Sequence, residues 1–498
     1  MSQVPSFVLS FEHDPRQWSK WRRWMIALVI WNLIAPVDLT LTFYSGMQEQ
    51  IQDYFETTTF IATLGVGLYN FGATFGPLIG APLSELYGRR PVYIGASVGF
   101  VIFSLGTALS PTIISLLGCR ALAGLIGSAV FSLYGGSLSD MFTPDERGPL
   151  VALFTIVLQG APTIGPVPSS LLGATVHWRW LMGFIAVWAA VITAVVICLP
   201  ETEATAIRRR LAKEQGDVMA KVSTPAQQTK NIWSKALLTP IVMLRREPIV
   251  FWTAAYHAFV YGLLFLLLEA YPHVYNSHYD MSRQEAGLVF IAPFLGNLLG
   301  VLVYFCFLKP QYEAQQRATF MQSGGKREIA PEARLPGVTF ASLFTPIGMF
   351  WFAFSAHPDV HWFIPVLSGV PVGMGMTLLQ LSLFNYYIDL YPTRSASVIA
   401  ANTAVRNLVS AVFPSIGVPL YNYLGIRNAS LLLACISCVG FPTGVVLLVY
   451  GKRLRAASRW AKQDVVNVSD TASCLGVVAP LLGQPPQNTY GGTSSAAN

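Results

Sequence analysis

Twelve apolar runs of bilayer-crossing length fall into two sets of six, with a basic stretch at 200–248 between them. The first set lies at 24–45, 60–83, 91–110, 112–136, 150–172 and 180–199. The second lies at 249–271, 285–308, 337–355, 362–386, 395–421 and 429–450. A helix needs roughly 20 mostly apolar residues to cross the hydrocarbon core. Such runs fill most of the 498 residues and leave almost no room for a soluble domain. The expected fold is therefore all-α and integral to the membrane, with twelve transmembrane helices in two six-helix bundles. Paired halves of this kind are the architecture of carriers, whose site lies near mid-depth between the repeats.

The organisation expected along the chain follows from these runs. Residues 1–23 form a cytoplasmic N-terminal segment and 24–199 the first bundle. Residues 200–248 form a cytoplasmic loop and 249–450 the second bundle. Residues 451–498 form a cytoplasmic tail, which from about 463 is rich in Ser, Gly, Gln and Pro and expected to be disordered. The polar first 20 residues carry no cleavable signal pattern, so the first span is expected to act as the insertion signal and stay.

Charge fixes the orientation. Only 11% of residues are charged, against about 25% in soluble domains. The net charge of +7 does not point to nucleic acid, because the basic residues sit in alternate links. Of 32 Lys and Arg, Arg179, Arg283 and Arg427 lie on one side, Arg120 and Arg406 lie within spans, and all others lie on the opposite side. The positive-inside rule places that basic side, with both termini and the central loop, in the cytoplasm. The lipid bilayer is thus the expected surroundings and anionic headgroups a further contact.

Enzyme chemistry finds little support. Cys119, Cys198, Cys306, Cys435, Cys438 and Cys474 show neither disulfide nor metal-ligand spacing. His357 and His361 have ligand spacing but fall in a short link, and no metal is expected there. There is no Gly-rich Lys loop for nucleotide phosphates, and no cofactor is expected. Asn428-Ala429-Ser430 is a glycosylation sequon close to the membrane face.

The link after the second run reads Pro82-Leu83-Ser84-Glu85-Leu86-Tyr87-Gly88-Arg89-Arg90-Pro91. An acid at a helix end, a Gly that allows a tight reversal and two Arg make a compact charge latch. Arg120 and Gly124 lie in the fourth run, with Asp140 after them. The fifth carries Gly160-Ala161-Pro162-Thr163-Ile164-Gly165-Pro166. Trp178-Arg179-Trp180 opens the sixth, and Leu199-Pro200-Glu201-Thr202-Glu203 closes it. Further strings are Glu269-Ala270-Tyr271-Pro272, Pro331 to Pro336, Asn385-Tyr386-Tyr387, Phe413-Pro414 and Tyr450 to Arg455. Over roughly 20–460 these strings, in this order, resemble the major facilitator superfamily, and within it the twelve-span fungal drug:proton antiporter branch of multidrug and polyamine exporters. The resemblance implies that Glu85, Gly88, Arg89 and Arg90 form the cytoplasmic latch. It also implies that Gly160, Pro162, Gly165 and Pro166 form the antiporter motif. Ser169 and Ser170 stand where the family usually has a Gly pair; they are still small enough for close helix packing.

Ionisable residues inside spans are costly and so are functional candidates. Asp38 lies roughly 21 Å up the first span and Arg120 about 18 Å up the fourth, counting 1.5 Å per residue. The matching depths suggest a pair that either carries the coupling proton or holds the two spans together. Glu269 stands near the outer end of the seventh span, as an outer gate, a site for a cationic substrate or a solvated helix end. Arg406 lies near mid-depth, facing an anionic substrate or packing against Asn402 or a neighbouring carbonyl. Asp389 and Arg394 look like a second-half latch. Trp31, Tyr256 and Tyr386 are candidates for a substrate cavity with Glu269 and Arg406, as are Trp252, Tyr261 and Tyr387; packing is the alternative for each.

The expected function is a monomeric, proton-coupled efflux pump in the plasma membrane, or alternatively the vacuolar membrane. Its partners would be protons and small amphipathic organic molecules, either drugs or a fungal secondary metabolite. The alternative is a polyamine or other organic-cation exporter, which the scarcity of mid-membrane acids disfavours.

Overall fold

The computed structural model describes residues 14–142, 144–214, 238–322, 330–391, 394–458 and 460. The expected disordered tail and most of the central loop lie outside these residues. The first half runs α1 (Lys20–Phe43), α2 (Gln48–Tyr54), α3 (Thr59–Tyr87), α4 (Arg89–Ala108), α5 (Ile113–Gly127), α6 (Ala129–Met141), α7 (Pro144–Ile164), α8 (Pro166–Gly173) and α9 (Trp178–Ile197). After α10 (Ala204–Glu214) the second half runs α11 (Pro248–Tyr279), α12 (Arg283–Leu288), α13 (Ile291–Val303), α14 (Lys309–Gln322), α15 (Leu335–Ser355), α16 (Phe363–Leu367), α17 (Gly369–Leu390), α18 (Ser395–Leu424), α19 (Ile426–Ser437) and α20 (Gly440–Ala457). Near-continuous pairs act as single rods: α5 with α6, α7 with α8, α16 with α17, and α19 with α20. α12, α13 and α14 likewise run on as one rod. With the short α2 set aside, each half is a bundle of six rods, and no strand occurs among the described residues.

Local signals explain the helix ends. Ser19, Thr58, Thr112 and Ser282 cap α1, α3, α5 and α12 by accepting a backbone N–H with the side-chain oxygen. Gly88 and Gly425 make the tight reversals into α4 and α19 at φ 98° and 76°, a region that side chains resist. Several helices run past their apolar runs. The eighth rod continues through α14 to Gln322 because Lys309–Gln322 is a good helix former, although it is too polar to register as a span.

Ten of the rods are long and apolar enough to cross a membrane. The others are α3, interrupted by Thr, Gly and Pro, and the α7–α8 rod, broken at Gly165. Both face other helices, so the usual apolar surface is not demanded of them. Large apolar side chains such as Ile102, Ile114, Phe184, Val191, Leu302 and Val449 are exposed on the bundle exteriors. A water-soluble protein would bury that many; lipid does not require it. Trp21, Trp180 and Trp252 are also exposed, as expected of headgroup-level anchors.

The halves meet along two seams, α3 with α18 and α7 with α13. At one end α8 and α12 also pack together. Gly67 lies against the Ala411 carbonyl, and Gly287 against Ser170 and the Pro166 carbonyl. Small residues let the backbones approach closely. The mid-depth groups therefore sit beneath a closed opposite end, where "opposite" means away from the Gly88 turn.

Candidate functional site

The latch forms around Gly88, with partners beyond the expected ones. Glu201, just past α9, accepts the backbone N–H of Arg89 at 2.9 Å and of Arg90 at 3.1 Å. A carboxylate there caps the N-terminus of α4, where the helix dipole favours negative charge. The Arg89 guanidinium pairs with Asp140 at 3.4 Å and donates to Ser84 Oγ at 2.5 Å. Arg90 donates to the Ile197 carbonyl at 2.7 Å, tying α4 to α9. A side chain at position 88 would meet Glu201 Oε2. Nearby, burial holds the Glu203 carboxyl above the usual carboxylate range. Glu85 lies at the end of α3, and its side chain is outside the described residues.

The second half repeats the device with one partner changed. Asp389 pairs with Arg334 at 3.0 Å and accepts from the Tyr312 hydroxyl at 3.2 Å. The expected partner, Arg394, instead lies over the Trp460 ring at 5.0 Å. Sequence proximity favoured Arg394, whereas the α14–α15 connection brings Arg334 in from 55 residues away. Arg455 pairs with Glu332 at 3.2 Å on the same face.

At mid-depth the expected Asp38–Arg120 pair is absent. Arg120 is 1% exposed and donates to the Gly65 carbonyl at 2.5 Å and the Thr40 carbonyl at 3.2 Å. Its guanidinium lies over the rings of Tyr44 at 4.2 Å and Tyr69 at 5.1 Å. All of these partners belong to the first bundle. Helical rise gives depth but not azimuth: Arg120 is engaged by carbonyls and rings of its own bundle and forms no ion pair with Asp38.

Asp38 is also 1% exposed, and the charge that bears on it is Arg406 of α18. Both act on the Tyr261 hydroxyl. No ion pair joins Asp38 and Arg406, and Asp38 Oδ2 has no hydrogen-bond partner. Arg406 donates through Nη1 to Gln380 Oε1 at 3.0 Å and lies 4.1 Å over the Tyr261 ring. Two opposite charges from different halves thus share a buried layer with Gln380 and Tyr261.

One turn nearer the basic end is a second buried network. His257 Nδ1 is 2.7 Å from Asn402 Oδ1, and Asn402 Nδ2 donates to the Tyr387 hydroxyl at 3.2 Å. Tyr387 is 2.6 Å from Thr253 Oγ1, which donates to the Ile249 carbonyl at 2.6 Å. Asn402 Oδ1 can only accept, so the His257 proton sits on Nδ1. Nε2 is left as an unpartnered acceptor.

The antiporter motif lines the first-half side of a seam. Gly160 faces Phe294 of α13, while Gly165 lies against Thr42 and Leu39 of α1. Pro162 and Pro166 are both buried. Asn297 of α13 crosses the seam and donates to the Gln159 carbonyl at 3.1 Å and Thr163 Oγ1 at 2.9 Å. Ser169 and Ser170 keep the close contacts, against Gly46 and Gly287. On the α3–α18 seam, Asn407 donates to the Ala73 carbonyl at 3.1 Å.

The expected cavity residues do not converge. Trp31 packs within the first bundle, edge-on to Trp24 at 6.4 Å. Tyr256 is turned against Gly440 in the second bundle. Tyr386 faces the basic-end charges of Glu332 and Arg455. Trp252 is 60% exposed on the exterior. Glu269 lies towards the closed end, 2.8 Å from the Gln48 side-chain amide of the other half. Only Arg406 joins the mid-depth layer, with Tyr261. Among the described residues no cluster of His, Cys, Asp and Glu suits a metal. Sequence reasoning passed over Gln380, His257 and Asn297; polar residues in otherwise apolar spans were the available signal.

The fold and motifs have counterparts elsewhere. The chain is 36% identical over 458 residues to the efflux pump FUB11 of Gibberella moniliformis, covering 89% of this chain and 75% of the relative. It is 34% identical over 479 residues to the multidrug transporter mdrA of Aspergillus fumigatus, covering 92% and 76%. Its fold matches the xylose transporter XylE from E. coli with a TM-score of 0.57 at 17% identity, over 86% of this chain and 99% of the other. It also matches the human organic anion transporter MFSD10 with a TM-score of 0.58 at 16% identity, over 86% and 100%. The Major Facilitator Superfamily pattern covers residues 25–414, and the chain belongs to that family.

Proposed function

We propose that this multi-pass membrane protein is a proton-coupled exporter of small amphipathic organic molecules, either drugs or a metabolite of the producing cell. The observation that carries the coupling is the Asp38–Arg406 relationship. A carboxylate with an unpartnered oxygen stands on one half, and the charge acting on it stands on the other. Protonating Asp38 weakens the attraction between the halves, and deprotonating it restores that attraction. Rocking of the bundles would then follow the proton. The export direction comes from the relatives' names, efflux pump and multidrug transporter. Those names lend nothing to the polyamine alternative.

In this reading the Glu85-to-Arg90 turn, with Glu201 and Asp140, holds one conformational state at the cytoplasmic face. The Gly160-to-Pro166 motif shapes the seam that opens and closes. The chain works as a monomer in the plasma membrane, with both termini in the cytoplasm. The proposed test is uptake of amphipathic fluorophores into inverted vesicles, with and without an imposed proton gradient. Gradient-stimulated, saturable uptake is expected. Uptake indifferent to the gradient would reject proton coupling.

A further inference from the structure

The mid-depth layer has unfilled hydrogen-bonding capacity of one dominant kind. Arg406 can only donate, so Gln380 must turn its oxygen towards Nη1. That leaves the Gln380 NH2 group without a partner. Arg406 Nε is unpartnered as well, and so is the Tyr261 hydroxyl. All three residues are at most 3% exposed. Gln380 bonds Arg406, and Arg406 covers the Tyr261 ring, so the three residues that carry these donors meet where α11, α17 and α18 come together.

Buried donors without acceptors are costly, and native proteins rarely leave three together. Asp38 balances the charge of Arg406, so the site carries no net charge while Asp38 is ionised. A cation entering would compete with Arg406 for the same carboxylate. An anion would be repelled by that carboxylate. A neutral molecule that offers an oxygen acceptor meets neither objection.

We propose that Arg406, Gln380 and Tyr261 form the cargo-recognition site, and that it selects neutral molecules bearing a carbonyl-type oxygen, such as ketones, lactones and esters. The proposal rests on the efflux reading and narrows its substrate class. Arg406 supplies the charge-assisted bond, while Gln380 and Tyr261 fix the oxygen's position. His257 Nε2, the neighbouring unpartnered acceptor, would receive a hydroxyl or N–H of the same molecule.

Three rigid tricyclic probes of similar shape test this: xanthone, with a carbonyl; xanthene, without one; and 10-methylacridinium, a cation. Binding to the purified full chain is read by calorimetry, separately from transport in proteoliposomes. Xanthone should bind at least about tenfold more tightly than xanthene, the worth of one or two hydrogen bonds. Gln380→Leu and the near-isosteric Tyr261→Phe should each weaken xanthone severalfold and leave xanthene unchanged, with the melting temperature of Tyr261→Phe close to that of the parent. Equal binding of xanthone and xanthene, or preference for the acridinium, would overturn the proposal while leaving the efflux reading intact. Selective xanthone binding without gradient-stimulated movement of any probe would overturn the efflux reading and keep the site.

Discussion

Glu201 holds the backbone N–H of Arg89 at 2.9 Å across 112 residues of chain. The bond places a carboxylate on the first turn of α4, at the one point where α3, α4 and α9 converge. Its two oxygens serve Arg89 and Arg90 together, and the turn at Gly88 leaves just enough room for them. Glu201→Gln removes the charge at the helix terminus but keeps the shape. We expect a loss of about 1 kcal/mol at this contact and a severalfold fall in transport, with near-normal expression. Gly88→Val should do worse, because it combines a disfavoured positive φ with a clash against Glu201. Initial transport rates, normalised to folded protein on a sizing column, check both.

Arg120 behaves in this structure as a buttress. Its donors go to two backbone carbonyls of other helices, and two aromatic rings cover its charge. Arg120→Ala should remove two buried charge-assisted hydrogen bonds, worth about 1.5–3 kcal/mol each. The expected outcome is a lowered melting temperature and poor yield. Arg120→Lys should recover part of the yield, since an ammonium can reach one carbonyl but cannot fork to both. A fully stable Arg120→Ala protein that fails only in transport would reject this view.

The bundle architecture was legible because membrane burial writes itself into long apolar runs, and the Gly88 turn because its Gly and two Arg are adjacent, whereas the acids that meet them, Asp140 and Glu201, come from 51 and 112 residues away. The mid-depth site was legible only in part. Asp38 and Arg406 stood out as charges in apolar spans, yet their neighbours did not. Depth can be counted from helical rise, whereas azimuth depends on how each helix is rotated in its bundle. Counting therefore matched Asp38 to Arg120, although the Arg120 guanidinium is taken up by Gly65, Thr40, Tyr44 and Tyr69 instead. Arg334 escaped as the partner of Asp389 for a related reason, because the connection that delivers it is long. Tyr256 and Tyr386 have the composition of pocket residues, but they spend their rings on packing inside one bundle.

The closed end offers a direct check on rocking. Gly287 on α12 and Ser170 on α8 are in contact across the halves. A side chain at 287 would clash with Ser170, so the cysteines belong at Gln48 and Glu269, whose side chains meet across the halves at the same end. In a background lacking the native six, a short bifunctional methanethiosulfonate should bridge them. The cross-link should stop transport, and a reducing agent should restore it. A cross-linked protein that still turns over would show that this end need not open.

The coupling prediction carries the most information. Asp38→Asn imitates the protonated state at constant size. If Asp38 carries the proton, this variant should fold normally and bind cargo, but an imposed proton gradient should no longer accelerate it. Exchange of labelled for unlabelled cargo should persist, since exchange needs rocking but no net proton movement. Arg406→Gln removes the opposing charge while keeping hydrogen-bonding capacity. It leaves the Asp38 carboxyl buried without an opposing charge, so it should be the more harmful single change. Combining the two removes both charges, and the pair should therefore regain stability that Arg406→Gln loses. Non-additivity of about 1–3 kcal/mol in unfolding free energy would establish that the residues interact. Simple additivity would show that they do not. The same gradient assay on Asp38→Asn then decides the proton's route: continued acceleration would remove Asp38 from it and leave Glu269, beside Gln48 at the closed end, as the carboxylate to test.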